Sequence, residues 1–185
     1  MALENKTTEQ TLLQRNGVFL FHKDFNNESC AEAIQWIIES NLDTNRTYER
    51  LTLIINSPGG DLDSCWALID TMQGSPLPVD TIGTGCVASC GILTLMAGNH
   101  RIATPKTNLL SHQFSAGAYD KQHELMSSAA LWKTINDQMI AHYKNCTGLS
   151  LKTIKEKLLP PTDVWLTAQQ AKKFHIVDEI RLVSF

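Results

Sequence analysis

Long apolar runs, a strong charge of either sign, paired-cysteine motifs and internal repeats are all missing from this sequence of 185 residues. No apolar stretch approaches the roughly 18 residues that span a bilayer, so no membrane span is expected. The opening residues, MALENKTTEQ, are polar and lack the apolar core of a secretory signal, which points to a cytoplasmic location, a host cytoplasm if the gene is viral. A net charge of −3 leaves no electrostatic footprint for nucleic acid or an anionic membrane. The five cysteines, at 30, 65, 86, 90 and 146, form no CxxC. An odd count of that kind fits reduced thiols better than a disulfide framework. Cys86 and Cys90 lie four residues apart with no histidine pair at zinc spacing nearby, so no metal is expected there, and small buried side chains are the simpler reading.

What is present is an ordinary core: 43% of the residues are hydrophobic and 19% charged, enough for one folded domain spanning 1–185 with a polar, flexible start over 1–11. Gly17 to Phe21 reads as a short strand. Asn27 to Asn41 reads as a helix, with Ala31, Ile34, Ile37 and Ile38 at helical spacing and Asn27 or Ser29 as its cap. Leu51 to Asn56 is a near-continuous apolar run, the pattern of a strand covered on both faces. Asp61 to Gln73 follows as a helix with the stripe Leu62, Cys65, Trp66, Ile69 and Met72, and Gly74 is placed to end it. Val79 to Thr84 is a strand, Ser89 to Ala97 a helix, and Arg101–Ala103 and Asn108–Ser111 two further strands. The longest helical stretch, Asp120 to Asn145, contains no Pro or Gly. It would extend about 40 Å at 1.5 Å per residue, more than a domain of this size covers, so part of it is expected against another subunit. Thr167-Ala168-Gln169-Gln170 resembles a capping box before a last short helix, and Val177 to Leu182 closes the chain as a strand. The alternation of strands and helices predicts an α/β protein.

Three features carry chemistry. In Gly85-Cys86-Val87-Ala88-Ser89-Cys90-Gly91, a serine stands between strand and helix with glycine on both sides, beside the free N–H groups of a helix start. Those are conditions for a nucleophile and its oxyanion. The spacing is GxxxSxG rather than GxSxG, and a capping serine accounts for these residues better when they are taken alone. Ser57-Pro58-Gly59-Gly60 ends a strand with glycines that let backbone N–H groups approach a ligand, or simply turn the chain. His112 follows an apolar strand, and Asp163 follows Pro160-Pro161. His22, His100, His123, His142 and His175 have an equal claim to titrate near neutrality.

Taken together, INSPGGDLDSCWALIDTMQ, GCVASCGI, LLSHQ and TDVWLTAQQAKKFHIVDEI resemble, in order and separation, four blocks of the Clp protease proteolytic subunits. The resemblance runs from about 12 to 182. It implies the fold of that family, a superhelix of ββα units shared with the crotonases, with a protruding handle helix. It also implies a serine endopeptidase cleaving unfolded chains or short peptides. Ser89 would be the nucleophile, His112 the base, Asp163 the residue orienting His112, and the backbone N–H groups of Gly60 and Cys90 the oxyanion hole. The implied partners are copies of the chain itself, in heptameric rings stacked as a tetradecamer, and an AAA+ Clp chaperone or another Clp-type subunit. ATP would be used by the chaperone, and this subunit, with no phosphate-binding loop, would bind no cofactor.

The sequence departs from the family pattern at the ring and docking surfaces. The segment before Thr11 is short. Thr52-Leu53-Ile54 replaces a usual Tyr-Leu-Tyr, Phe114-Ser115-Ala116-Gly117-Ala118 replaces a Pro and glycine-rich strand, and Thr162 replaces an Arg. Cys90 stands where Met is usual. Two other readings remain. One is acyl-CoA chemistry on the related crotonase fold, which would call for an acidic base and a basic patch, neither of which the sequence shows. The other is a non-catalytic or weakly active ring subunit that modulates another Clp peptidase.

Overall fold

Residues 11–183 are described in the computed structural model of the chain. The expected flexible start at 1–11 lies, except for Thr11, outside them. Element order is β1 (Val18–Phe21), α1 (Asn27–Leu42), β2 (Leu51–Ser57), α2 (Leu62–Gly74), β3 (Val79–Ala88), α3 (Cys90–Met96), β4 (Arg101–Ala103), β5 (Asn108–Ser111) and α4 (Gln122–Thr147). There follow α5 (Leu151–Thr153), which runs into a π turn over Ile154–Leu158, then β6 (Val164–Thr167), α6 (Ala168–Lys173) and β7 (Glu179–Ile180). The protein is α/β, as the alternation predicts.

The sheet runs β1-β2-β3-β4-β7 with every pair parallel. Long β3 holds two strands in succession: β4 pairs with Thr81–Gly83, and β5 with Cys86–Ala88. β6 then adds to β5 antiparallel. Leu51, Leu53, Ile54 and Ile55 of β2 are all buried, so this strand is covered on both faces. Phe19, Phe21, Trp36, Ile37, Leu68, Ile69 and Met72 fill the layer between the sheet and α1 and α2. Trp36 stacks at a tilt on Phe19, centroids 5.3 Å apart.

Several expected boundaries move. The α1 cap is Asn26, whose side chain accepts from Ser29 N, while Ser29 Oγ accepts from Asn26 N in a reciprocal capping box. Ser29 therefore closes the cap from the third helical position. β3 continues through Gly85, which takes φ +57°, to Ala88. The last strand shrinks to Glu179–Ile180, and β6 is an additional strand. The Thr167–Gln170 capping box forms as its spacing predicts.

α4 buries only Met139, His142, Tyr143 and Thr147, all in its C-terminal half. Met126 and Leu131, in its first half, are exposed. Its root is fixed by Arg101, whose Nη1 donates to Cys146 O (2.7 Å) and whose Nε and Nη2 both donate to Asp178 (2.9 and 2.5 Å). One side chain thus ties β4, the end of α4 and the approach to β7. Burial pushes the Asp178 carboxyl up, but the Arg101 hydrogen bonds outweigh it and hold it below the usual carboxylate range.

A lowered folded-state pKa means that the stabilisation is present above the unfolded carboxylate value, near 4, and is lost as pH falls through the folded one. Asp178→Asn is therefore expected to cost about 1 kcal/mol at pH 7, the partial exposure of the pair having been allowed for. In thermal melts the gap to wild type should close below about pH 4. A gap independent of pH would show that the ion pair is not its source.

Candidate active site

Strand register brings Ser89, His112 and Asp163 to the same end of three neighbouring strands, β3, β5 and β6. β5 runs parallel to β3 with Ala88 opposite Leu110, and Ser89 N donates to Leu110 O at 3.0 Å. His112 is two residues further along the same path. β5 and β6 are antiparallel, with Ser111 opposite Val164, so the next step of that register sets His112 against Asp163. Ser89 and His112 are half-buried and Asp163 is exposed. No hydrogen bond joins the three among the described residues. Such contacts are commonly long or absent before substrate binds.

Ser89 occupies the N-cap position of α3, yet its side chain makes no cap hydrogen bond. Its backbone sits at φ +55°, ψ −118°, a conformation costing a serine on the order of 1–3 kcal/mol. The capping explanation of this serine therefore fails. The chain reverses sharply at Ser89, and the hydroxyl caps none of the helix N–H groups.

The turn after β2 explains how that strain is held. Gly59, at φ +103°, packs directly on Ser89: a Cβ there would lie 2.5 Å from Ser89 Cβ. Ser57 Oγ accepts from Gly59 N at 3.1 Å. Gly60 forms a parallel bridge with Phe25, in which Phe25 N donates to Gly59 O and Asp61 N donates to Phe25 O, both at 2.8 Å. The Gly60 N–H takes no part in that bridge, and Gly60 is exposed. The Cys90 N–H, first in α3, has no intrahelical partner. Two backbone donors thus flank the Ser89 turn, one from each strand end. Cys90 Sγ lies 3.2 Å from Gly60 O and stitches the two ends together. Hydrogen bonds from the Cys65 thiol and from the Gly60 backbone hold the Cys90 thiol below its usual range against the opposing effect of burial, while burial pushes Cys65 up.

Sequence reasoning passed over Asn56 within the INSPGG block. Its Oδ1 accepts from Cys86 N at 3.0 Å and faces Gly85, where a Cβ would come within 2.9 Å of it. The signal available was a polar residue closing an otherwise apolar strand. Of the other histidines, His142 is buried with Nε2 donating to Leu93 O at 2.9 Å, and burial keeps it below the usual histidine range. His123 is largely exposed beside Glu124.

Gly60→Ala would place a Cβ 2.2 Å from Phe25 O. The bridge would have to open and the Gly60 N–H to turn. The expected result is a folded variant destabilised by about 1–3 kcal/mol. Its Ser89 should react with a fluorophosphonate at least about 10²-fold more slowly, the size of losing one oxyanion donor. Unchanged labelling would remove Gly60 from the site.

Among the described residues no helix is long and apolar enough to cross a membrane. Comparison with known proteins gives two findings. The chain is 35% identical over 132 residues to the ATP-dependent Clp protease proteolytic subunit 2 of Corynebacterium diphtheriae. That stretch covers 70% of this chain and 65% of the relative, so the match spans just under two thirds of the relative's length. The family model described as Clp protease matches residues 3–183, nearly the whole sequence, and the chain belongs to that family.

Proposed function

We propose that this chain is a serine endopeptidase of the Clp type. The observation that carries the reading is the backbone of Ser89: a non-glycine residue at φ +55°, its hydroxyl spared from capping, packed without clearance on Gly59. A folded chain keeps such strain where a side chain must be presented at a sharp turn. Ser89 Oγ attacks the peptide carbonyl. His112 takes the hydroxyl proton and returns it to the leaving amine. Asp163, opposite in register, orients His112 and balances its charge once protonated. The oxyanion is received by the Gly60 and Cys90 N–H groups. Because both donors are backbone groups, a cysteine at position 90 leaves them in place.

In this proposal the chamber is built from copies of the chain, in heptameric rings stacked as a tetradecamer, with the free half of α4 covered between rings. The relative carries ATP dependence in its name, which supports a partner ATPase, a AAA+ Clp chaperone. This subunit itself uses no cofactor, and the setting is the cytoplasm. The three side chains, which no hydrogen bond joins in the single chain, come into line on assembly or on substrate binding.

A second reading, a weakly active ring subunit modulating another Clp peptidase, draws on the same lack of hydrogen bonds within the triad and on the exposure of Asp163. Both readings meet one experiment. The purified assembly is expected to hydrolyse a short fluorogenic peptide and to be labelled by a fluorophosphonate at Ser89. Ser89→Ala should lower turnover by more than about 10³-fold with the native mass unchanged. Native mass spectrometry counts seven or fourteen copies. An assembled wild type that neither labels nor cleaves would sink the endopeptidase reading and favour the modulating subunit.

A further inference from the structure

His112 is flanked by two residues that hold the same short segment. Ser111 Oγ lies 2.5 Å from Leu158 O, and Gln113 Nε2 donates to Leu159 O at 2.9 Å. Along an extended chain the side chains of 111 and 113 share one face and that of 112 takes the other. The two grips therefore leave the imidazole free on the side away from them. Their targets are consecutive carbonyls at the end of the π turn, the kind of group a helix terminus leaves without a partner.

The bond directions are fixed by chemistry. A carbonyl only accepts, so Ser111 donates its one hydroxyl proton to Leu158 O. The Tyr143 hydroxyl, 2.7 Å from Ser111 Oγ, must then be the donor to Ser111. Ser111 and Tyr143 are essentially inaccessible to solvent, and burial pushes the phenol above its ordinary range, so it keeps its proton. Tyr143 belongs to α4, and the relay ties that helix to the residue before His112.

The held segment leads straight to Asp163. Between Leu159 and Asp163 stand Pro160, Pro161 and Thr162. Each proline fixes its own φ, and Pro161 also restricts Pro160. With Leu159 pinned, few free rotations separate it from the carboxylate. On the other side, β6 pairs with β5 and begins at Val164, immediately after Asp163. Asp163 is thus held from one end by Gln113, just after His112, and from the other by the strand that leads into His112.

We infer that Ser111 and Gln113 are positioning residues that set the placement of Asp163 relative to His112, with Tyr143 anchoring the brace to α4. Neither touches the reacting atoms. The inference deepens the endopeptidase reading and rests on it for its kinetic consequence, but the brace has a readout of its own. Gln113 lies at the surface, so Gln113→Glu removes the donor with little threat to folding. Ser111→Ala and Tyr143→Phe remove the buried hydroxyls. Each is compared with wild type in peptide turnover and in amide hydrogen exchange of the peptides covering 159–164.

Gln113→Glu and Ser111→Ala are expected to lower kcat about tenfold with KM within about twofold, and to speed exchange over 159–164. A tenfold fall corresponds to about 1.4 kcal/mol in the barrier. Ser111→Ala combined with Tyr143→Phe should cost no more than Ser111→Ala alone, since the two hydroxyls form one chain. Unchanged exchange in folded Gln113→Glu would overturn the brace. Faster exchange with wild-type kcat would overturn the positioning role and leave a purely structural contact. An inactive wild type would overturn the endopeptidase reading instead, and the exchange data would still decide for or against the brace.

Discussion

Where β2 and β3 end, two backbones meet with no space between them. A Cβ on Gly59 would collide with Ser89, and one on Gly60 with the Phe25 carbonyl. The rest of the site follows from that contact. The register between β2 and β3 shifts between Ile55 and Ser57, so that Ser57 comes opposite Val87. Gly85 takes the left-handed conformation that lets β3 bend across, and Asn56 fixes the bend by accepting from Cys86 N. Ser89 then takes up a backbone conformation that serine ordinarily avoids. The strain is local and is offset by the apolar layer beneath, where Val87, Cys90, Ile92 and Leu93 are all buried. The Gly60 and Cys90 N–H groups, one at each strand end, do not depend on side-chain identity.

The sequence made much of this legible because the relevant pattern is coarse. Apolar runs gave β2 and β3, and helical stripes gave α1, α2 and α4. Ser89, Gly60, His112 and Asp163 could be singled out only as a set, since each alone reads as a cap, a turn or a surface charge. What escaped was set by contacts distant in sequence or by choices among equivalent residues. Asn26, Asn27 and Ser29 are all good cap formers, and only the backbone decides that Asn26 caps and Ser29 answers it. β6 has four residues, one of them the exposed Trp165, too short for alternation to register, and it exists because β5 offers an edge. The π turn carries no periodicity of its own. Whether the Ser89, His112 and Asp163 side chains touch depends on rotamers and neighbours that residue types do not encode.

α4 connects these observations to the size of the molecule. Its first half leaves Met126 and Leu131 in solvent, whereas its second half is anchored at three points to three different parts of the site's frame. Arg101 holds Cys146 O, His142 donates to Leu93 O within α3, and Tyr143 donates to Ser111 beside His112. The Trp66 ring packs edge-on against His142, which adds α2 to the same junction. The helix is therefore a lever with a fixed root and an uncovered arm. Burying the arm's apolar side chains would contribute roughly 1.5–3 kcal/mol for each one fully covered, comparable to the strain held at Ser89. A load on the arm would reach the helix that begins after Ser89 and the strand that ends before His112 through two hydrogen bonds on adjacent residues of one turn. In the proposed assembly, the contacts that join α4 to the elements carrying Ser89 and His112 lie in residues 142 and 143 rather than in the loop that separates β5 from α4.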